Sequence, residues 1–267
     1  MSTIVITGGT DGLGRALAAD RLRAGHTVVV VGRSEEKFRA LAANGDAHFI
    51  QADLREVAEN LRVTREIATR FPVVDTLVLG AAYVHRDRQT TGEGFEHNFA
   101  LYYLSRHIFA SELQEALTAA ERPLILDTTV PGTPGNAVHW DDLQLERGYT
   151  WKIANLQSRR LVLLSALRLA SDHVRYVLYN PGFVRTSHQG ALGRRSRAMV
   201  GVLAKTLGTP PEKAILPMLD LLANRPEAPL SAYQRGKRLE LDDTTPEEAE
   251  RLHQETARLL RGLTGRT

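Results

Sequence analysis

The chain has 267 residues, of which 43% are hydrophobic and 24% charged, a usage that fits one large α/β core and excludes wholesale disorder. Its 34 basic and 31 acidic side chains leave a formal charge of +3 without any run of five basic residues, so nucleic acid is not an expected partner. There is no cysteine, which excludes disulfides, thiolate metal sites and a cysteine nucleophile, and the apolar runs at 27–31 and 161–164 fall far short of the ~20 residues that span a bilayer. No leader pattern precedes the first apolar run, so a cytoplasmic location and no membrane partner are expected.

In chain order, short runs rich in Val, Ile and Leu alternate with segments of helical period. Strands are predicted at 3–7, 27–31, 48–52, 74–80, 124–127 and 174–179, and helices at 15–24, 35–43, 57–71, 94–120 and 153–170. This alternation predicts an α/β fold with a doubly wound parallel sheet, the Rossmann fold, with helices on both faces and ligands at the carboxyl ends of the strands. A last short strand is expected at 238–241 and a terminal helix at 246–260, begun by Thr244 or Thr245 and Pro246. The whole chain, 1–267, reads as one dinucleotide-binding domain, and 186–211, rich in Gly, Arg and Ser, is the candidate substrate lid.

Directly after the first strand stands Thr7-Gly8-Gly9-Thr10-Asp11-Gly12-Leu13-Gly14, and a helix follows. Glycines there let the backbone turn tightly and approach a pyrophosphate, whose charge meets exposed amides at the positive end of the helix. The second strand ends in Gly32-Arg33-Ser34. An acidic residue at that place would suit NAD(H), whereas Arg33 offers a charged planar fork and Ser34 a hydroxyl to the extra phosphate of NADP(H), the expected cofactor.

These features resemble the short-chain dehydrogenase/reductase family, whose T-G-x-x-x-G-x-G fingerprint is matched by Thr7, Gly8, Gly12 and Gly14. The resemblance covers roughly the first 190 residues. It implies that Asp53 and Leu54 contact adenine, that Gly80 and Ala81 stand in the family's Asn-Ala-Gly turn, and that Pro181, Gly182 and Val184 embrace the nicotinamide. It further implies a hydride exchange between NADP(H) and the carbonyl or alcohol of a small organic substrate, in a family whose members often form homo-oligomers through two long helices. In this chain those helices are 94–120 and 153–170, and the Leu-rich run 161–169 suits core or interface alike.

The family's reaction site uses a Ser, a Tyr and a Lys four residues beyond the Tyr, and here the pattern departs. Thr129 resembles the Ser and keeps a hydroxyl for the substrate oxygen. The run Lys152-Ile153-Ala154-Asn155 looks like the family's segment beginning with its Lys, which puts Gly148 at the Tyr position. Tyr149, three residues before Lys152, would still share a helix face with it, and Lys152 would also reach the nicotinamide ribose. Counting back from Pro181 instead puts Trp151 and Asn155 at the two positions. Tyr102 falls where the family has an active-site Asn, and is a reserve acid or a core aromatic. The loss of the usual Tyr keeps two other readings open, non-redox chemistry such as cyclisation, dehydration or isomerisation, and a dinucleotide sensor without turnover. The histidines show no metal spacing and read as surface or capping residues, except that His188 in the lid could meet substrate. Arg194, Arg195 and Arg197 read as a solvated basic face, and no metal is expected.

Overall fold

The computed structural model describes residues 1–83, 85–185, 208–241 and 245–264. Most of the expected lid, including His188, Arg194, Arg195 and Arg197, lies outside the described residues, as does Thr244. Valine-rich runs form the centre of a sheet because both of its faces are covered. Val28 to Val31 are fully buried within β2 (Thr27–Gly32), beside β1 (Thr3–Thr7) and β3 (Ala47–Gln51). β4 (Thr76–Leu79), β5 (Leu124–Thr128), β6 (Arg175–Asn180) and β7 (Leu230–Gln234) continue the parallel sheet on the other side of β1, and β8 (Lys237–Leu239) closes it antiparallel.

The order β3-β2-β1-β4-β5-β6-β7-β8 reverses direction between β1 and β4. At such a switch point the two connections leave toward opposite faces and open a crevice beyond the carboxyl ends. On one face α1 (Gly12–Arg23), α2 (Glu35–Ala42), α7 (Pro211–Ala214) and α8 (Leu216–Ala223) supply much of the packing, with Leu17, Leu22, Phe38, Leu41 and Met218 in its core. On the other lie α3 (Val57–Arg70), α4 (Ser105–Glu112), α5 (Gln114–Thr118) and α6 (Trp151–Leu169). Among the described residues no helix is long and apolar enough to cross a membrane.

Two departures from the sequence-based expectation have local causes. The helix expected at 94–120 is broken into pieces. Gly94 adopts φ +89°, and the Glu96 carboxylate accepts from the amides of Asn98 (2.9 Å) and Phe99 (2.8 Å), so it caps a helix that starts later. That helix opens with a π-helical turn, Phe99–Leu104, passes into α4, and breaks again at Leu113. The second departure is β7, which the sequence reading lacks. Its hairpin to β8 turns on Arg235 (φ +50°) and Gly236 (φ +84°), the two positive φ values of a tight hairpin turn, and β8 lies slightly before the 238–241 expected for it.

A third apolar core lies outside the sheet, between the π turn, α4, α6 and the terminal helix α9 (Pro246–Thr264). Ala249 and Leu252 of α9 are buried there with Leu161 and Leu164, and Val162 and Leu163 turn the other way into the sheet core, so the 161–166 part of the Leu-rich run of α6 is core. Polar contacts fix the register of α9. The Tyr103 hydroxyl lies 2.6 Å from Thr256 Oγ1, and Arg160 meets Glu248 at 2.9 Å. Leu252→Ala therefore removes packed methyls and should cost about 2–4 kcal/mol, read by urea unfolding against the parent.

His107 sits in the same region, corrected here from a surface to a buried residue, with Nδ1 2.9 Å from Ser165 Oγ. Burial, and secondarily the charge of His253, lowers its pKa to about 4. A folded-state value below the unfolded 6.5 means that the unfolded chain takes up the proton first. The stabilisation is complete above about pH 6.5 and is lost as pH falls toward 4. Between pH 7 and pH 5 the loss amounts to about 2 kcal/mol, and His107→Gln should lose that much less over this interval in paired urea titrations.

Candidate active site

At the switch point the glycine turn and the end of β4 approach closely. Gly8 has φ +71°, and a Cβ there would stand 2.9 Å from the Ala81 backbone; a Cβ on Gly14 would stand 2.5 Å from the Gly8 carbonyl oxygen. Neither position has room for a side chain, which leaves the loop pressed against its own helix and open toward the cavity. Thr7 completes the join, its hydroxyl oxygen accepting from the amides of Gly80 (3.1 Å) and Ala81 (3.3 Å). Asp11 caps α1 by accepting from the Gly12 amide at 2.7 Å. The first-turn amides of Leu13 and Gly14 have no acceptor within the helix, and the positive end of its dipole faces the same way.

This loop floors a cavity of about 490 Å³ that brings together Gly8, Thr10, Asp11, Gly12, Leu13, Gly14, Arg33, Asp53, Leu54, Gly80, Ala81, Pro181, Gly182 and Val184 from the ends of five strands. The volume is that of a small-molecule pocket. Ser34 stands apart from this lining; its Oγ caps α2 by accepting from the Lys37 amide at 3.3 Å. Lys37, which sequence reasoning passed over, forms an ion pair with Asp11 and so closes the gap between α2 and the glycine loop. A basic residue one turn beyond Arg33 was the available signal. At Asp53 the Arg55 guanidinium donates from Nε to both carboxylate oxygens at 2.9 Å, and this hydrogen bonding holds the carboxyl below its ordinary pKa. Arg55 lines the cavity too.

At the other end of the cavity Tyr102 and Thr129 meet. The Tyr102 hydroxyl donates to Thr129 Oγ1 at 3.4 Å, and both residues are buried yet line the cavity. The π turn makes this possible, because a wider turn rotates successive side chains away from α-helical positions. Tyr102 thereby faces the cavity while its neighbour Tyr103 reaches Thr256 on α9. His97 also lines the cavity, with Nε2 3.1 Å from the Tyr83 carbonyl oxygen. It too is corrected from a surface to a buried residue, and burial lowers its pKa to about 4, leaving a neutral imidazole at pH 7.

Tyr149 and Lys152 are placed elsewhere. Thr150 is the N-cap of α6, so Tyr149 precedes the helix and the shared helix face expected for the two residues does not form. The Tyr149 hydroxyl donates to the His85 carbonyl at 3.0 Å and accepts from Asn98 Nδ2 at 3.1 Å, and burial raises its pKa to about 12. Lys152 is exposed, with Nζ 5.8 Å from the centre of the Trp151 ring. Neither residue lines the described cavity.

Beneath Tyr102 lies a buried polar group that the sequence reading missed. Arg106 forms an ion pair with Asp127, whose other oxygen accepts from the Tyr176 hydroxyl at 2.8 Å. Burial, reinforced by the Asp127 charge, pushes the Tyr176 hydroxyl well above its ordinary pKa and keeps it a donor.

The family model for short chain dehydrogenases matches residues 2–118. A protein of Streptomyces sp. (strain C5) named as a daunorubicin C-13 ketoreductase is 32% identical over 193 residues, 69% of this chain and 66% of its own length. Retinol dehydrogenase 13 of Homo sapiens is 27% identical over 281 residues, 97% of this chain and 84% of its own length. In three dimensions the chain is similar to a short-chain dehydrogenase from Sphingobium yanoikuyae solved in complex with NADPH. That likeness has a TM-score of 0.65 at 17% identity, covering 98% of this chain and 95% of the other.

Proposed function

The chain belongs to the short-chain dehydrogenase/reductase family, and from that membership we propose that it is an NADP(H)-dependent oxidoreductase acting on the carbonyl or alcohol of a small, largely apolar substrate. The observation that carries the proposal is the meeting of the Tyr102 and Thr129 hydroxyls in the cavity floored by the glycine loop. The residues fit a dinucleotide, since Gly8, Gly12 and Gly14 present backbone without side chains to the cavity at the amino end of α1, where amides without helical acceptors suit a diphosphate. When bound, the cofactor supplies or takes up the hydride.

The chain's own residues do the rest. Thr129 orients the substrate oxygen by hydrogen bonding, and Tyr102 gives that oxygen its proton in reduction and recovers it in oxidation. Tyr83, Leu101, Val130 and Phe183 offer apolar and aromatic surface beside the pair. At the far end Arg33 lines the cavity and Lys37 stands at its edge, which supports NADP(H) over NAD(H), as do related folds solved with NADP or NADPH. A second reading follows from the separation of Tyr149 and Lys152 from the cavity: a dinucleotide-binding protein whose chemistry is not net redox. Product formation at constant NADPH absorbance would identify it.

Across a panel of ketones and aldehydes, the parent should oxidise NADPH, and Tyr102→Phe should lower kcat by roughly 100-fold or more with little change in the Kd for NADPH. No oxidation of NADPH by the parent on any panel member would overturn the redox reading. Arg33→Ala should raise the Kd for NADPH by roughly tenfold or more through loss of a charge-assisted hydrogen bond while leaving that for NADH nearly unchanged. Calorimetry measures both, and equal effects on the two cofactors would remove Arg33 from the phosphate site.

A further inference from the structure

The Arg106–Asp127 pair is almost wholly buried, at 3% and 0% side-chain exposure. An apolar pair of similar volume would serve stability as well or better, since two charges must leave water to form such a bridge. Its contacts point to a use at the reaction site. One terminal nitrogen of Arg106 donates to the carbonyls of Leu79 and Thr128, each at 3.1 Å, and the other donates to Ala81 at 3.1 Å. Those carbonyls flank Gly80 and precede Thr129. The guanidinium carbon lies 4.4 Å over the centre of the Tyr102 ring, within the range of a cation–π contact.

Resting on the reading of Tyr102 as the proton-transfer group, we propose that Arg106 is its positioning residue. The guanidinium, clamped by Asp127, holds the phenol against Thr129 and stabilises the negative charge left on the phenol oxygen when its proton passes to the substrate. A permanently charged guanidinium can do this without itself exchanging protons. Lys152 has no such contact with Tyr102. Among the described residues, Asp127 on β5 is bound to Arg106 and Tyr176 on β6 is bound to Asp127, while Tyr83 and His97 line the same cavity as the phenol, His97 held neutral by burial. The charge that Arg106 presents to the Tyr102 ring is therefore compensated by Asp127.

Asp127→Asn removes the compensating charge and keeps an acceptor for Tyr176. It should move the alkaline limb of the pH–rate profile for ketone reduction to lower pH, because the phenolate is further stabilised. The double variant Arg106→Gln with Asp127→Asn removes both charges, avoids an unpaired carboxylate, and should move the limb to higher pH with turnover reduced by roughly tenfold or more. Arg106→Lys keeps the charge without the planar stack and should leave the limb near its parental place while kcat falls.

An ultraviolet difference titration of tyrosinate, each variant against the same variant carrying Tyr102→Phe, reads the same displacement in free enzyme without substrate. Limbs and titrations that superimpose on the parent's in every folded variant, whatever the change in thermal stability, would overturn the proposal and leave Arg106 a structural brace. Full activity of Tyr102→Phe is a different result: it overturns the proton-transfer assignment, while the titration still reports whether Arg106 acts on the phenol.

Discussion

Between the carboxyl ends of β1 and β4 two backbones approach with no space for a side chain, and the rest of the site is organised around that approach. Gly8 turns into the left-handed region beside Ala81, and Thr7 spends its hydroxyl on the Gly80 and Ala81 amides. A larger residue at position 8 would move the end of β4 outward. Two things would move with it. The glycine loop would part from β4, and the Leu79 and Ala81 carbonyls would leave the guanidinium that joins them to Thr128. The glycine-loop end of the cavity and the end where Tyr102 meets Thr129 thus share one packing constraint.

The reacting end depends as well on a break in regularity. Were 94–120 one uninterrupted α-helix, the side chains at 102, 103 and 106 would follow the ordinary 100° spacing. The Glu96 cap delays the start of the helix, and the π turn over Phe99–Leu104 widens it. Tyr102 then faces the cavity, Tyr103 faces α9, and Arg106 lies under the Tyr102 ring. The cost of an irregular turn is offset by the third core, in which Phe99, Ala100, Tyr103 and Leu104 pack against α6 and α9. A distortion of this kind persists where surrounding structure over-determines it.

The doubly wound parallel sheet and the glycine turn were legible in the sequence because each rests on a local rule: apolar runs of strand length, a 3.6-residue period, and glycines between a strand and a helix. Gly8, Asp11, Arg33, Asp53, Gly80 and Gly182 line one cavity. Legibility failed where the deciding contact is long-range. Glu96 reads as one more polar residue of a helix until its carboxylate is seen on the amides beyond it. Nothing in the sequence sets Arg106 apart within the expected helix 94–120 until Asp127, 21 positions away, is found beside it. Tyr149 and Lys152 looked neighbourly on helical spacing, and only the position of the Thr150 cap shows that one of them precedes the helix. β7 has too short an apolar run to stand out, and its hairpin signal lay in Arg235 and Gly236.

Charge is handled differently at the two ends of the cavity. The pairs Lys37–Asp11 and Arg55–Asp53 are partly exposed, so each is held weakly in its present form and solvent can compensate either partner. Such pairs can exchange partners for a ligand's polar groups at small cost, which suits the proposed binding and release of a dinucleotide at this surface. Arg106 and Asp127 have no solvent to turn to, and removing one would strand the other. Rigidity is thereby placed beside the Tyr102 and Thr129 hydroxyls, where under the proposed proton transfer a preorganised field needs no rearrangement as charge develops. Adaptability is placed some strands away, at the end proposed to hold the cofactor.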